Sequence, residues 1–365
     1  QWIEEKINLV RDSKEPELIM DAEIEVFNHE TEKNEIISVN LTILPLINED
    51  SDGRTDEKES FLGILLMIED ISSEKRMKST MSRYMDPGIA DQLLEDGADI
   101  MGGLDTTATL LFSDLRSFTN ITESLGAQGT VKLLNEYFEI MVECISEQGG
   151  MLDKFIGDAI MAAFGLPISH EDDEDRGVKA GINMIKRLWD WNDLREKDGK
   201  PPLDMGLGLN TDKIVAGNIG SQKRMDYTMI GDGVNLAARL ESACKQYNAR
   251  ILISDFTFKK LKGTYRIRYI DDVVVKGKTE PVGVHEVLDY HSEKTFPNLM
   301  DVVNHFNEGR KKYISGDFQQ AITSFKECLK INSEDKLSET YIDRCTQLIS
   351  QKPKNWDGVW VMKSK

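Results

Sequence analysis

Cysteine is scarce and scattered in this chain. The 365 residues hold four, Cys144, Cys244, Cys328 and Cys345, with no CxxC pair and no neighbouring histidine at ligand spacing. That argues against both a thiolate metal site and a disulfide framework, and fits idle thiols in a reducing, cytoplasmic setting. Long apolar runs are also missing. The longest, Phe61 to Ile68, is far short of the ~20 residues that span a bilayer, and no signal peptide is visible. The chain begins at Gln1, so a membrane tether upstream of Gln1 stays open. Positive charge is the third shortage: Lys+Arg 45 against Asp+Glu 64 leaves a net charge of −19. Phosphate polyanions need a basic face, so a general nucleic-acid binder is excluded. What is present is 40% apolar residues, ample for buried cores, in a length that suits two or three domains.

Residues 1–71 read as β-rich. The stretch from Ile37 to Ile43 (ISVNLTI) alternates strictly between apolar and polar, the mark of a half-buried strand. A polar, acidic stretch from Asn48 to Ser60 precedes a second strand, Phe61 to Ile68, which passes through Glu69-Asp70-Ile71-Ser72 into a charged helix. A hairpin ending in an Asp-Ile-Ser step and feeding a helix resembles the C-terminal half of a PAS sensor domain. The half that normally holds a sensor ligand would lie before Gln1. Residues 72–100 read as a helical signalling linker. Met77, Met81 and Tyr84 make one apolar stripe, and Asp86-Pro87 looks like an N-cap with proline at the first helical position.

Residues 101–292 alternate strands and helices. The run Thr107 to Leu115 reads as a buried strand delivering Asp114 at its end, and Val131 to Glu147 as an amphipathic helix. Two short apolar runs flank Gly157-Asp158, which reads as a tight hairpin. A helix around residues 174–191 follows, then two strand-like runs, Leu203 to Asn210 and Lys213 to Ile219. Gly231-Asp232-Gly233 opens a further helix, and His170-Glu-Asp-Asp-Glu-Asp175 reads as a solvated helix start complementing the dipole rather than a metal cluster.

Residues 293–365 turn purely helical. Phe306 to Asn332 resembles one tetratricopeptide unit, with Gly309, Gly316 and Ala321 small where Tyr313, Phe318, Phe325 and Leu329 are large. One such unit cannot bury its own face. It is expected to dock on the helix Ser338 to Ser350 or on the preceding domain, and the tail offers a surface for a protein partner.

Chemistry gathers at two carboxylates. Asp114, at the end of an apolar strand, and Asp158, in a Gly-Asp turn, sit where isolated carboxylates need a partner. A divalent metal is a natural counter-charge, since Mg²⁺ takes one or two carboxylates and leaves the rest to phosphate and water; capping or turn roles are the alternative. After Asp114 the segment Leu115 to Thr119 turns into a helix whose free N–H groups suit a polyphosphate. Asn235 and Arg239 are four apart and share one helix face. An arginine there can neutralise charge on a transferring phosphoryl group, and a surface arginine paired with Glu241 or solvent is the alternative.

Together the segments resemble the class III nucleotidyl cyclases at several independent places in the right order. The matches are Phe112 to Thr119 (FSDLRSFT), Asp153 to Gly165 (DKFIGDAIMAAFG), Gly217 to Glu241 (GNIGSQKRMDYTMIGDGVNLAARLE) and Val275 to Lys278 (VKGK). The resemblance implies an α/β, ferredoxin-like catalytic domain with active sites formed between two copies in a head-to-tail homodimer. It implies that Asp114 and Asp158 bind metal, with the Leu115 carbonyl as a further ligand, and that Phe118 and Thr119 line the phosphates. Lys154 and Thr228 match the two positions that read the purine, and guanylate cyclases typically carry Glu and Cys or Ser there. Asn235 matches the residue that orients the ribose, Arg239 the one that stabilises the α-phosphate in the transition state, and Lys276 the triphosphate lysine. Thr228 also resembles the bicarbonate-responsive, cyanobacterial-type and soluble-cyclase branch, which implies activation by bicarbonate. Met151 and Leu152 break the Gly-Gly-acidic pattern of diguanylate cyclases after Gly149-Gly150.

The activity so implied is an adenylate cyclase: ATP converted to 3′,5′-cyclic AMP and pyrophosphate with two Mg²⁺ or Mn²⁺ ions per active site. The sensor-like end and linker would control dimer geometry. A guanylate cyclase and a catalytically silent scaffold are the alternatives.

Overall fold

A computed structural model of the chain describes residues 2–29, 32–48, 60–73, 75, 102–221, 224–273, 281–351, 356 and 358. The Met77, Met81 and Tyr84 stripe, the Asp86-Pro87 joint and the lysine Lys276 lie outside the described residues. The chain divides into two units, Gln1–Asp91 and Gln92–Lys365.

The first unit carries helix α1 (Trp2–Ser13) and strands β1 (Glu17–Asn28), β2 (Lys33–Asn48) and β3 (Ser60–Asp70), an antiparallel sheet in the order β1-β2-β3. The alternating run in β2 buries Val39, Leu41 and Ile43 completely, and α1 packs over β2 and β3. Helix α1 was not expected from the sequence. Its Glu4 and Glu5 in the first turn and Arg11 in the last complement the helix dipole. The Asp-Ile-Ser step is a closed turn in which the Ser72 N–H donates to Asp70 and the Ser38 N–H donates to the Ser72 hydroxyl, both at 2.9 Å.

The second unit begins with β4 (Gly102–Leu115), α2 (Phe118–Ser146), β5 (Met151–Ile156), β6 (Ala159–Phe164), α3 (Asp173–Lys197) and β7 (Met205–Ser221). These strands lie in the order β7-β4-β6-β5, all antiparallel, which is the split βαββαβ pattern of a ferredoxin-like fold. The two runs expected between residues 203 and 219 are one long strand, β7, because every residue from Met205 to Asn218 pairs with β4. Strand β8 (Arg224–Ile230) folds back on β7. Helix α4 (Asp232–Tyr247) leads to β9 (Ile251–Ser254), α5 (Asp255–Phe258), β10 (Ile267–Val273) and β11 (Val282–Val287), which extend the sheet beyond β7.

Alternation along β7 sends Leu207 and Leu209 into the core under α2 and α3 and turns Gly206 and Gly208 toward α4. A Cβ on Gly208 would lie 2.2 Å from the Glu241 nitrogen and 2.3 Å from the Ala237 carbonyl oxygen. Only glycine permits that backbone approach.

The acidic run at the start of α3 differs from the expected solvated face. Asp173 and Asp175 are buried: Asp173 accepts from the His170 N–H, and Asp175 accepts from the N–H groups of Lys262 and Gly263 and from the Tyr265 hydroxyl. Glu171 does face solvent, but donors on the far loop satisfy Asp175 indoors, and a local N–H meets Asp173.

The C-terminal helices α6 (Leu299–Ile314), α7 (Phe318–Ile331) and α8 (Lys336–Gln351) share one apolar core with α4, β9, β10 and β11, in which Leu236, Leu252 and Ile270 meet Phe306, Phe325 and Tyr341. Gly309 lies against the Phe325 ring, which a Cβ would meet at 2.7 Å. All four cysteines are buried and unpaired, as expected.

Candidate active site

The antiparallel registers bring Asp114 and Asp158 together. Ser113 on β4 pairs with Ile160 on β6, and β6 turns back into β5 through Gly157 at φ 66°, a left-handed conformation that suits glycine. Asp158 in that turn therefore reaches the end of β4. Its carboxyl is pushed up to about 6, first by burial and then by its hydrogen bond to, and repulsion from, Asp114; N–H groups of Asp158 and Leu115 pull the other way. Two carboxylates in contact resist joint ionisation unless a cation shares them. Lys245 on α4 supplies one at 3.4 Å from Asp114, with its own side chain 55% exposed. Among the described residues no group of three His, Cys, Asp or Glu side chains could hold a metal. The pair fits a hard divalent ion that takes its remaining ligands from phosphate and water.

Leu115 contributes only backbone here, since its side chain is in the core. Ser117 at φ 57° then turns the chain into α2. The first helical N–H groups, those of Phe118 and Thr119, have no intrahelical acceptor; the Phe118 ring packs against the core and Thr119 is exposed. Arg116, between them and Asp114, is committed elsewhere. It binds the Asp204 carboxylate at 3.3 Å and donates to the Ala249 carbonyl.

A second group forms at β5 and β8. Thr228, opposite Gly217 on β7, donates its hydroxyl to Asp153 at 3.2 Å, and the Lys154 ammonium lies 3.7 Å from the same carboxylate oxygen. The Asp153 side chain is fully buried while Lys154 is 39% exposed. Burial raises the Asp153 carboxyl, against the pull of Lys154 and Thr228. Sequence reasoning brought out Lys154 and Thr228 but missed Asp153. A buried acid next to the lysine was the available signal.

Asn235 and Arg239 stand apart. Both are exposed on α4, above the buried Leu236, Ala237 and Leu240, and neither has a hydrogen bond or ion pair among the described residues. Of the expected alternative, a surface arginine paired with Glu241 or solvent, the Glu241 pair does not form, since Glu241 accepts from Ser242, while Arg239 does face solvent. Residues on a helix advance about 100° each, so Arg239 lies on the side of α4 opposite Glu241. Glu241 and Lys245 share the face that borders Asp114: burial and then the nearby Asp114 charge raise the Glu241 carboxyl. Within one chain, Arg239 thus points away from the carboxylate pair.

Residues 104–291 match the family model described as the adenylate and guanylate cyclase catalytic domain. The chain is 38% identical over 248 residues to an adenylate cyclase of Dictyostelium discoideum described as terminal-differentiation specific, covering 66% of this chain and 11% of that protein. It is also 38% identical over 186 residues to an adenylate cyclase of Anabaena cylindrica, covering 49% of this chain and 36% of that one. The chain therefore spans about a third or less of these relatives. Among solved structures, a bacterial light-regulated adenylyl cyclase superposes with a TM-score of 0.53 at 25% identity, over 64% of this chain and 67% of that one.

Proposed function

The chain belongs to the family of the adenylate and guanylate cyclase catalytic domain, and from that we propose that it converts ATP to 3′,5′-cyclic AMP and pyrophosphate at sites shared by two copies in a homodimer. The Asp114–Asp158 contact carries the reading. It is a carboxylate pair with too few ligands of its own, set beside free helix N–H groups. When bound there, two divalent ions, Mg²⁺ or Mn²⁺, supply acidity at the ribose 3′-hydroxyl and counter-charge to the triphosphate.

The chain's own residues do the rest. Asp114, Asp158 and the Leu115 carbonyl form the anionic cradle, and the N–H groups at Phe118 and Thr119 hold phosphate oxygens. Lys154 donates to adenine N1 while Thr228 meets the exocyclic amine. Asn235 holds the ribose, Lys276 the triphosphate, and Arg239 the charge that grows on the α-phosphate. The 3′-oxygen forms a bond to the α-phosphorus as the bond from that phosphorus to the β-phosphate bridge breaks. The hydroxyl proton leaves to water or to a substrate phosphate oxygen, and pyrophosphate departs.

The facing of α4 supports the shared site. Arg239 and Asn235 are directed away from their own carboxylates, so a second copy's carboxylates are their natural counterpart. Residues 1–71 act in this reading as part of a sensor, 72–100 as its linker, 101–292 as the catalytic domain and 293–365 as a helical tail.

Turnover of ATP and GTP with Mg²⁺ or Mn²⁺, reading cyclic product, tests the assignment. ATP is expected to be preferred. Equal or greater use of GTP would make the protein a guanylate cyclase, and no turnover of either would make it a scaffold. Bicarbonate added at constant pH is expected to raise ATP turnover, and a flat titration removes the link drawn from Thr228.

A further inference from the structure

The purine-facing pair does not act alone, because both of its members lean on one buried group. Strand β5 carries a bulge: Leu152 pairs with Ala162 and Lys154 with Met161, so that Asp153 is the extra residue opposite that step. A bulge re-aims the side chain it carries. Here it lets two consecutive residues serve one place. Asp153 turns inward with no exposed side-chain surface, and Lys154 remains partly open beside it. One Asp153 oxygen, Oδ2, receives the Thr228 hydroxyl at 3.2 Å and lies 3.7 Å from the Lys154 ammonium; the other, Oδ1, is buried without a hydrogen-bond partner among the described residues. A buried carboxylate with an unfilled oxygen is costly, and apolar packing would be the cheaper filling of that space.

We propose that Asp153 is the positioning residue that sets purine specificity, by fixing which way the Thr228 hydroxyl donates. The proposal rests on the adenylate cyclase reading above. A threonine hydroxyl has one hydrogen and two lone pairs. With its hydrogen given to Asp153, Thr228 presents only lone pairs to the ligand. It can accept from the exocyclic amine of adenine and cannot donate to the 6-oxygen of guanine. The same carboxylate, 3.7 Å from the Lys154 ammonium, orients it as a donor, which suits the acceptor N1 of adenine and not the N1–H of guanine. Without the carboxylate the hydroxyl is free to rotate, and its donor face serves a 6-oxo purine.

The test is the ratio of kcat/KM for ATP to that for GTP, measured on the full chain with Mg²⁺, for the wild type, Asp153→Asn and Asp153→Glu. General damage to the scaffold lowers both substrates alike and leaves the ratio in place. Asp153→Asn is nearly isosteric but offers Thr228 an N–H donor, and it is expected to lower the ratio about 10- to 100-fold, the range for one reversed hydrogen bond. Asp153→Glu restores a carboxylate and is expected to recover part of the preference. If Asp153→Asn melts below the assay temperature, Asp153→Ser asks the same question with a smaller neutral side chain. A wild type that prefers ATP together with an unchanged ratio in the neutral variant would overturn this inference alone. A wild type without ATP preference would instead overturn the adenylate cyclase reading.

Discussion

Arg344 on α8 donates to Asp271 on β10 at 2.7 Å, and both side chains are almost withdrawn from solvent, at 7% and 1% exposure. The Tyr247 hydroxyl on α4 donates to the same carboxylate at 2.9 Å, and Arg310 on α6 lies 3.6 Å from it. Nearby, Arg268 on β10 holds both Glu286 and Asp335. The helical tail is thus joined to the catalytic sheet by buried charge as well as by apolar packing.

Removing one partner of a buried ion pair leaves the other uncompensated. Arg344→Ala is expected to cost on the order of 3 kcal/mol, read as a lower midpoint in urea unfolding of the whole chain. A loss below about 1 kcal/mol would mean that Arg310 and Tyr247 hold Asp271 unaided. Ending the chain at Asn298 should be more severe, because it uncovers Leu252, Ile270 and Val284, which share the core with the tail. Retained solubility and activity in that shortened protein would show that the tail is dispensable.

Arg239→Ala is expected to lower kcat about 10²- to 10³-fold, as for other removed stabilisers of developing charge, with little change in melting temperature because the side chain is exposed. An Asp158→Ala chain should be equally inactive. Mixing the two variants should restore part of the activity, since one of the two sites in a mixed dimer has both groups intact. Stable mixed dimers without recovery would sink the shared-site reading.

Gly208→Ala places a methyl group where backbone atoms of α4 stand at 2.2 and 2.3 Å, so the helix must move. A cost of about 1–3 kcal/mol is expected, accompanied by lower turnover because Asn235, Arg239 and Lys245 ride on that helix. Normal activity at reduced stability would show that α4 can shift without disturbing the chemistry.

Burial pushes the Asp175 carboxyl up, but hydrogen bonds from the Lys262 N–H, the Tyr265 hydroxyl and the Gly263 N–H outweigh it and hold it below its ordinary value. A carboxyl so depressed contributes stability that is present above the unfolded value, near 3.9, and is lost as pH falls through the lower folded value. Asp175→Asn is therefore expected to cost about 2 kcal/mol at pH 7. Its deficit against the wild type should shrink on acidification below about pH 4. A gap that stays constant between pH 7 and pH 3 would assign the loss to shape rather than charge.

Much of this protein is legible in its residues because the relevant forces act over short stretches. The alternation in Ile37 to Ile43 sets a half-buried strand, Gly157-Asp158 sets a hairpin, and the glycines before α4 open a helix. Each is decided within a few residues by backbone sterics and apolar period. The motif order from Phe112 to Lys278 likewise carried the α/β class and the candidate site residues. Other features needed distant segments to meet. Helix α1 carries an apolar stripe at Ile3, Ile7 and Val10 ahead of a β-rich stretch, and its packing over β2 and β3 fixes it; Asp175 looks solvated until the loop at Lys262 to Tyr265 supplies its donors. Asp153 became a candidate only when a β-bulge turned it onto Thr228, 75 residues away in the chain. The tail proved to share the catalytic core through Asp271. Burial and long-range hydrogen bonding set these outcomes, and both depend on which chain segments the sheet order makes neighbours.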